Sequence, residues 1–466
     1  MRHIRKFFIL LILLAGAGSP VFAQSKPSFG ELKEYEGLYQ FANPPTLKMA
    51  ASPVDTLLYA IINQARYPLR PKGKDVFVNS TGDPVTFLRD AKGEIDRYIA
   101  GKDTFRLLDK AVSFPPQMWY PRMVADPKHY TYRYSPPSDN GDGLSTGSLE
   151  GTGLDPSLLS NMVDSIVAGV YPNVHGILII KDRRLVFEEY FYEYTRDSLQ
   201  EMRSATKSVI SALTGIAIRK GLISGVDQRL AALFPEYRWE NPSPLKDRIT
   251  VRDLLDNQSG VNYDEAWDKS IGNENAMDYS SDWVKYTFDL PMLDTPGVHG
   301  RYNSGNPITL GRIIEKASGQ PLAQFASANL FRPLGITRFK WNFKPDRSNA
   351  ENFCQLYLTP REMAKFGLLF LQDGVWQGHE VIPAAWVKES TSKHSVVQNV
   401  NYGYLWWLKY LDAGATRYYS FAAQGNGGQK IYVFRSLNLV VVTTGGNFNT
   451  QSPADVLIRK YILPGL

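Results

Sequence analysis

The rhythm of apolar positions changes twice along the chain. From residue 30 to about 112, short apolar runs alternate with turn residues, as in Gly37-Leu-Tyr-Gln-Phe41, Leu57-Leu-Tyr-Ala-Ile-Ile62, Asp75-Val-Phe-Val78 and Pro84-Val-Thr-Phe-Leu88. That spacing predicts a small all-β unit over residues 28–112. Residues 113–153 read as a linker or long loop, because the Gly, Ser, Asp and Pro between Ser135 and Gly153 bury too little surface to form a packed element. A helix is predicted from Asp155-Pro156, where a side-chain cap precedes proline and Leu158, Leu159, Met162, Ile166 and Val167 fall on one stripe. Strands follow over 175–180 and 184–191, then a mostly helical region from 204 to about 400. Further strands are predicted over 402–408, 418–423, 429–435 and 439–444, with a closing helix over 452–462. Residues 154–466 therefore read as one α/β (α+β) domain: an antiparallel sheet built from both chain ends, flanked by helices, with a helical region inserted.

The first 23 residues follow different rules. Arg2, Arg5 and Lys6 precede the apolar run Phe7 to Ala15, and Val21-Phe22-Ala23 places small residues at a cleavage site before Gln24. This predicts a signal peptide and a periplasmic or secreted protein, since the run is shorter than the roughly 20 residues that span a bilayer. No stable membrane span is expected in the mature chain. The formal charge of +6 halves once Arg2, Arg5 and Lys6 are set aside, leaving no electrostatic footprint for nucleic acid. With 43% hydrophobic and 12% aromatic residues in 466, the chain can fill two or three cores without staples. Its one cysteine, Cys354, allows no internal disulfide and reads as a small packed residue.

Two serine motifs compete for the chemistry. Gly143-Leu-Ser145-Thr-Gly147 matches the Gly-x-Ser-x-Gly elbow, but that elbow must join a strand to a helix, and Pro136-Pro-Ser-Asp-Asn-Gly-Asp cannot form the strand. Ser204-Ala-Thr-Lys207 instead opens an apolar helix carrying Val209, Ile210, Leu213, Ile216 and Ala217 and ending at Gly221. Residues three apart share a helix face, so the Lys207 amine reaches the Ser204 hydroxyl. Apolar surroundings should desolvate Lys207 and favour its neutral, basic form. Ser243-Pro-Leu-Lys246 and Ser390-Thr-Ser-Lys393 match the same string without that helical context. The six histidines show no metal-ligand spacing, and His299, three residues before Tyr302, reads as a loop histidine. Tyr404, Trp406 and Trp407 fit either a pocket wall or core.

Two more segments join the Ser204 helix: Tyr302-Asn303-Ser304 before a helix, and Ala423-Gln-Gly-Asn-Gly-Gly-Gln429 between two strands. In this order the three motifs resemble the serine β-lactamase and penicillin-binding superfamily over roughly residues 150–463, in its class C, esterase and 6-aminohexanoate-dimer hydrolase branch. The front unit likewise looks like the lipocalin-like barrels that accompany some secreted serine hydrolases. The resemblance implies a β-lactamase-like fold and a cofactor-free hydrolase with Ser204 as nucleophile, Lys207 as its base partner and Tyr302 as second proton carrier. It also implies an oxyanion hole from the backbone N–H groups of Ser204 and Asn426, with Ser304, Gln424 and Gly425 at the substrate. Where the family has Tyr-x-Asn and Lys-Thr-Gly, this chain has Ser304 as the third residue and Ala423-Gln424-Gly425. The missing lysine removes a charge-assisted grip on a carboxylate and points to neutral esters or amides, small-molecule or peptide-like, as substrates. The alternatives are a β-lactamase or D,D-peptidase, and a non-catalytic peptide-binding protein of the same fold.

Overall fold

The computed structural model describes residues 26–40, 46–267, 269–345 and 355–466. The expected leader over residues 1–23 and Cys354 lie outside these residues. Eight antiparallel strands close into a barrel: β1 Gly37–Gln40, β2 Thr46–Ala51, β3 Leu58–Ile62, β4 Ala65–Gly73, β5 Val76–Val78, β6 Pro84–Arg89, β7 Ile95–Ala100 and β8 Asp103–Asp109, with β1 pairing β8. Alternate residues point inward. Tyr35, Tyr39, Phe77, Phe87 and Tyr98 meet there as a cluster of tilted and edge-on rings, centroids 4.8 to 6.1 Å apart. An eight-stranded barrel has room for such side chains and little more.

Residues 113–153 carry almost no regular structure, yet they are not a free linker. Leu144 and Leu149 are buried, the Ser145 carbonyl accepts from Leu185 N–H at 2.8 Å, and Gly147 N–H donates back to the Leu185 carbonyl at 3.0 Å. The Arg361 side chain, 5% exposed, pairs with Glu188 at 2.7 Å and Asp142 at 3.2 Å, pinning the stretch from the helical side. The glycines and serines that suggested flexibility instead allow the backbone to lie flat along a strand edge. Ser145 thus adds its backbone to a sheet edge and sits on no elbow.

That edge belongs to β10 Arg184–Tyr190, the outer strand of an eight-stranded antiparallel sheet. Its neighbour is β9 Val174–Lys181, and the spatial order from β10 is completed by strands from the chain end. Three short strands, β11 Gln200–Glu201, β12 Lys340–Trp341 and β13 Leu356–Leu358, make a small sheet, and β14 Val375–Trp376 with β15 His379–Glu380 makes a hairpin. Then come β16 Ser395–Val397, β17 Val400–Tyr402, β18 Trp407–Ala413, β19 Thr416–Gly425, β20 Gln429–Phe434 and β21 Leu439–Gly445, running inward so that β21 pairs β9. Both faces are covered, which is why Leu439-Val-Val-Val442 is a continuous apolar run: Val440 and Val442 face the core around the helix Thr206–Arg219, while Leu439 and Val441 face the core beside the helix Pro156–Val167. The fold is α+β with the sheet drawn from both chain ends, as the pattern predicted.

One strand differs from expectation. Residues 402–408 are not continuous: β17 ends at Tyr402, β18 begins at Trp407, and between them Leu405 takes φ 61° in a buried turn. Tyr404 and Trp406 are fully buried core, so aromatic content alone had suggested a strand where packing requires a corner. Among the described residues no helix is long and apolar enough to cross a membrane.

Candidate active site

Three chain segments converge at the N-terminal end of the helix Thr206–Arg219. Ser204 sits in a single tight turn, Arg203–Ala205, that feeds this helix. Arg203, immediately before it, has φ 49°, a left-handed conformation that a long side chain rarely adopts without constraint. The Lys207 ammonium lies one turn on and donates to Ser204 Oγ at 2.9 Å. Tyr302 enters from the loop preceding the helix Gly305–Ser318; its hydroxyl faces the Ser204 and Lys207 side chains, and Lys207 Nζ stands 5.0 Å from its ring centroid. Trp407 at the start of β18 packs against that ring, centroids 5.6 Å apart.

The third segment is the end of β19. A Cβ on Gly425 would fall within contact distance of the Met202 carbonyl oxygen and 3.0 Å from Arg203 Cβ, so only glycine lets this strand end lie against the Ser204 turn. Asn426 follows at the surface, its side-chain amide paired reciprocally with Asn449 at 2.7 and 2.9 Å. Gln424 lies opposite Lys430 in the β19–β20 register, and Lys430 is bound to Asp455 at 2.6 Å. Ser304 is buried beside Tyr302 with its N–H donating to Glu265 Oε1 at 3.0 Å. Ser204, Lys207, Tyr302, Ser304 and Gly425 are therefore brought together, Asn426 directly follows Gly425, and Gln424 shares the sheet face of Lys430, the one away from the Ser204 turn. His299 is not part of it and pairs with Asp294 on an exposed loop.

Electrostatics corrects one expectation. Burial acts to lower the Lys207 pKa, but attraction to the Tyr302 oxygen and to Glu265 and Glu274 outweighs it, so the pKa is raised and the resting amine is charged. The apolar helix face supplies the desolvation foreseen, but it faces acids that sequence spacing does not reveal. Glu265 is pushed up to about 7 by burial and by Glu274, opposed by Lys207 and the bond from Ser304. Asp278 is pushed up to about 8 by burial and the same two glutamates. Burial also raises the Tyr302 phenol, partly offset by Lys207. Glu265 additionally donates its backbone N–H to the Tyr302 carbonyl at 2.9 Å, so it fixes the 302–304 loop from two sides. Among the described residues no group of His, Cys, Asp or Glu is arranged to hold a metal ion.

The arrangement suits acyl transfer: a hydroxyl on a constrained turn, an amine bonded to it with a phenol beside them, and a glycine-bearing strand end where a carbonyl can lie. Over 357 residues, 65% of this chain and 96% of the relative, it is 23% identical to an uncharacterized protein of Alkalihalophilus pseudofirmus. It is 29% identical over 158 residues to the lovastatin esterase of Penicillium rubens, a stretch covering 30% of this chain and 39% of that enzyme. In three dimensions it matches a family VIII carboxylesterase with TM-score 0.54 and 15% identity, covering 67% of this chain and 98% of the other. The beta-lactamase family model matches residues 161–460, nearly all of the sheet and helices just described. The chain belongs to the β-lactamase family, a family of serine hydrolases and penicillin-binding proteins.

Proposed function

We propose that the protein cleaves ester or amide bonds through an acyl ester on Ser204, as a member of the esterase and 6-aminohexanoate-dimer hydrolase branch of its family. The observation that carries this reading is the 2.9 Å bond from Lys207 to Ser204 Oγ, with the Tyr302 phenol facing both. Ser204 Oγ attacks the substrate carbonyl and its proton passes into the Lys207–Tyr302 pair. Backbone N–H groups of Ser204 and Asn426 stabilise the tetrahedral oxyanion. The pair then protonates the departing alcohol or amine, and water releases the acyl group by the reverse relay. Because both groups of the pair are raised, the resting state is ammonium and phenol, and the attacking state is the one that has lost a proton.

Neutral substrates fit best. Ala423, where the family has lysine, carries no charge, and the neighbouring cations are committed, Lys430 to Asp455 at 2.6 Å and Arg203 to Glu201 at 3.0 Å. The lovastatin esterase among the relatives supports the ester reading. Short-chain p-nitrophenyl esters should therefore give a far higher kcat/KM than benzylpenicillin or a cephalosporin, and Lys207→Ala or Tyr302→Phe should slow acylation by about a hundredfold or more. A β-lactam that outperforms every ester, or near-normal rates in both variants, would overturn this assignment. We also propose that the chain is exported and matures at Gln24, which the intact mass of the secreted protein would test.

A further inference from the structure

The barrel reaches the segment that leads into Ser204. The turn between β3 and β4 carries Gln64, whose Nε2 donates to the Leu199 carbonyl at 2.6 Å while its Oε1 accepts from the Glu201 N–H at 3.0 Å. One side-chain amide thus meets a C=O and an N–H two residues apart, the pattern that a neighbouring β-strand would present. On its other side β11 pairs β13, with Gln200 opposite Leu358 and Glu201 opposite Tyr357. A two-residue strand is held weakly by one neighbour, and Gln64 supplies the second.

The hairpin itself is fixed. Arg66, two residues along, pairs with Glu193 at 2.6 Å, donates to the Met118 carbonyl, and lies over Trp119 and Tyr192 at 5.6 and 5.9 Å. Beyond Glu201 the restraint continues toward the site. Met202 N–H donates to the Leu356 carbonyl at 2.9 Å, and the Glu201 carboxylate holds Arg203 Nε at 3.0 Å. Arg203 is the left-handed residue directly before Ser204, and such a conformation persists only where its surroundings determine it.

We infer that Gln64 is a positioning residue for Ser204, so that the barrel is part of the catalytic unit rather than an appendage. The inference rests on the reading of Ser204 as nucleophile. Its mechanism is geometric: releasing β11 relaxes the Arg203 turn and moves Ser204 Oγ from its bond with Lys207, and small misplacements of a nucleophile cost rate rather than binding.

The test uses full-length protein with Gln64→Ala and Gln64→Glu, assayed well below the thermal midpoint of each. The readouts are the rate constant for labelling Ser204 by a fluorophosphonate and the separate kcat and KM for a p-nitrophenyl ester. Gln64→Ala should lower the labelling rate and kcat by about tenfold or more, with KM changed less than about twofold. Gln64→Glu keeps the acceptor for the Glu201 N–H and loses the donor to Leu199, so it should fall between Gln64→Ala and the native protein; if Gln64→Ala does not fold, the loss in Gln64→Glu is the deciding reading. A purely structural role would lower the thermal midpoint and leave kcat of the folded variant unchanged. Native labelling rate and kcat in the folded variants, or a loss confined to KM, would overturn the inference. If the native protein is labelled elsewhere than Ser204, the nucleophile assignment fails instead.

Discussion

Gly425→Ala offers the sharpest perturbation of the proposed oxyanion hole. Gly425 is extended and needs no left-handed freedom, so alanine is compatible with its backbone; what alanine lacks is room. The new methyl would press on the Met202 carbonyl oxygen, with Arg203 Cβ at 3.0 Å and Gln429 Cβ at 3.2 Å closing the other directions. None of these is the free end of a flexible side chain, so the strand end must retreat from the Ser204 turn by on the order of 1 Å. Asn426 N–H moves with it, and a lost oxyanion donor lowers kcat by about a hundredfold to a thousandfold. Steady-state kinetics on a p-nitrophenyl ester, with circular dichroism to confirm folding, would show a large fall in kcat and a small change in KM. A folded Gly425→Ala protein with native kcat would refute the placement of the oxyanion hole.

Stability and pH are linked through buried carboxyls. Asp256 is pushed up to about 8 by burial, and its Oδ1 has no hydrogen-bond partner. Between the ordinary aspartate range and about pH 8 the folded state keeps a proton that the unfolded chain releases, so this site's contribution to stability falls as pH rises through that window. Asp256→Asn should stabilise the protein more at pH 8 than at pH 5, by at least about 1 kcal/mol, since each unit of raised pKa is about 1.4 kcal/mol; an equal thermal shift at both pH values would refute it. Because Lys207 and Tyr302 are both raised, kcat/KM should still be climbing above pH 8, and a plateau below pH 7 would contradict the charged resting amine. Limited proteolysis should spare residues 135–153, which hydrogen-bond to β10 and Arg361, and a first cut inside that stretch would show that these contacts do not hold in solution.

Local chemistry carried much of this structure. The Asp155-Pro156 start, the apolar helix after Ser204 and the strands from both chain ends all follow from capping and periodicity, and the three ordered motifs do lie together. Composition misled where a tertiary partner decides. The Gly and Ser of 135–153 read as flexible, but β10 offers an edge and Arg361 two anchors, at Asp142 and the Ser138 carbonyl. The front unit showed four apolar runs, whereas the barrel has eight strands, several with half-exposed residues that blur the alternation. Glu265, Glu274 and Asp278 were invisible as site residues because nothing in their spacing relates them to Lys207, 58 or more positions away. Gln64 is more distant still, and only a folded barrel reveals it.

The central claim is that Ser204 is the residue that becomes acylated. Incubating the full-length protein with a fluorophosphonate and mapping the modified peptide by mass spectrometry tests it directly. The account predicts stoichiometric modification of Ser204, sharply slowed in Lys207→Ala and Tyr302→Phe. Modification at Ser145 or any other residue, or none in folded protein that hydrolyses esters, would contradict it.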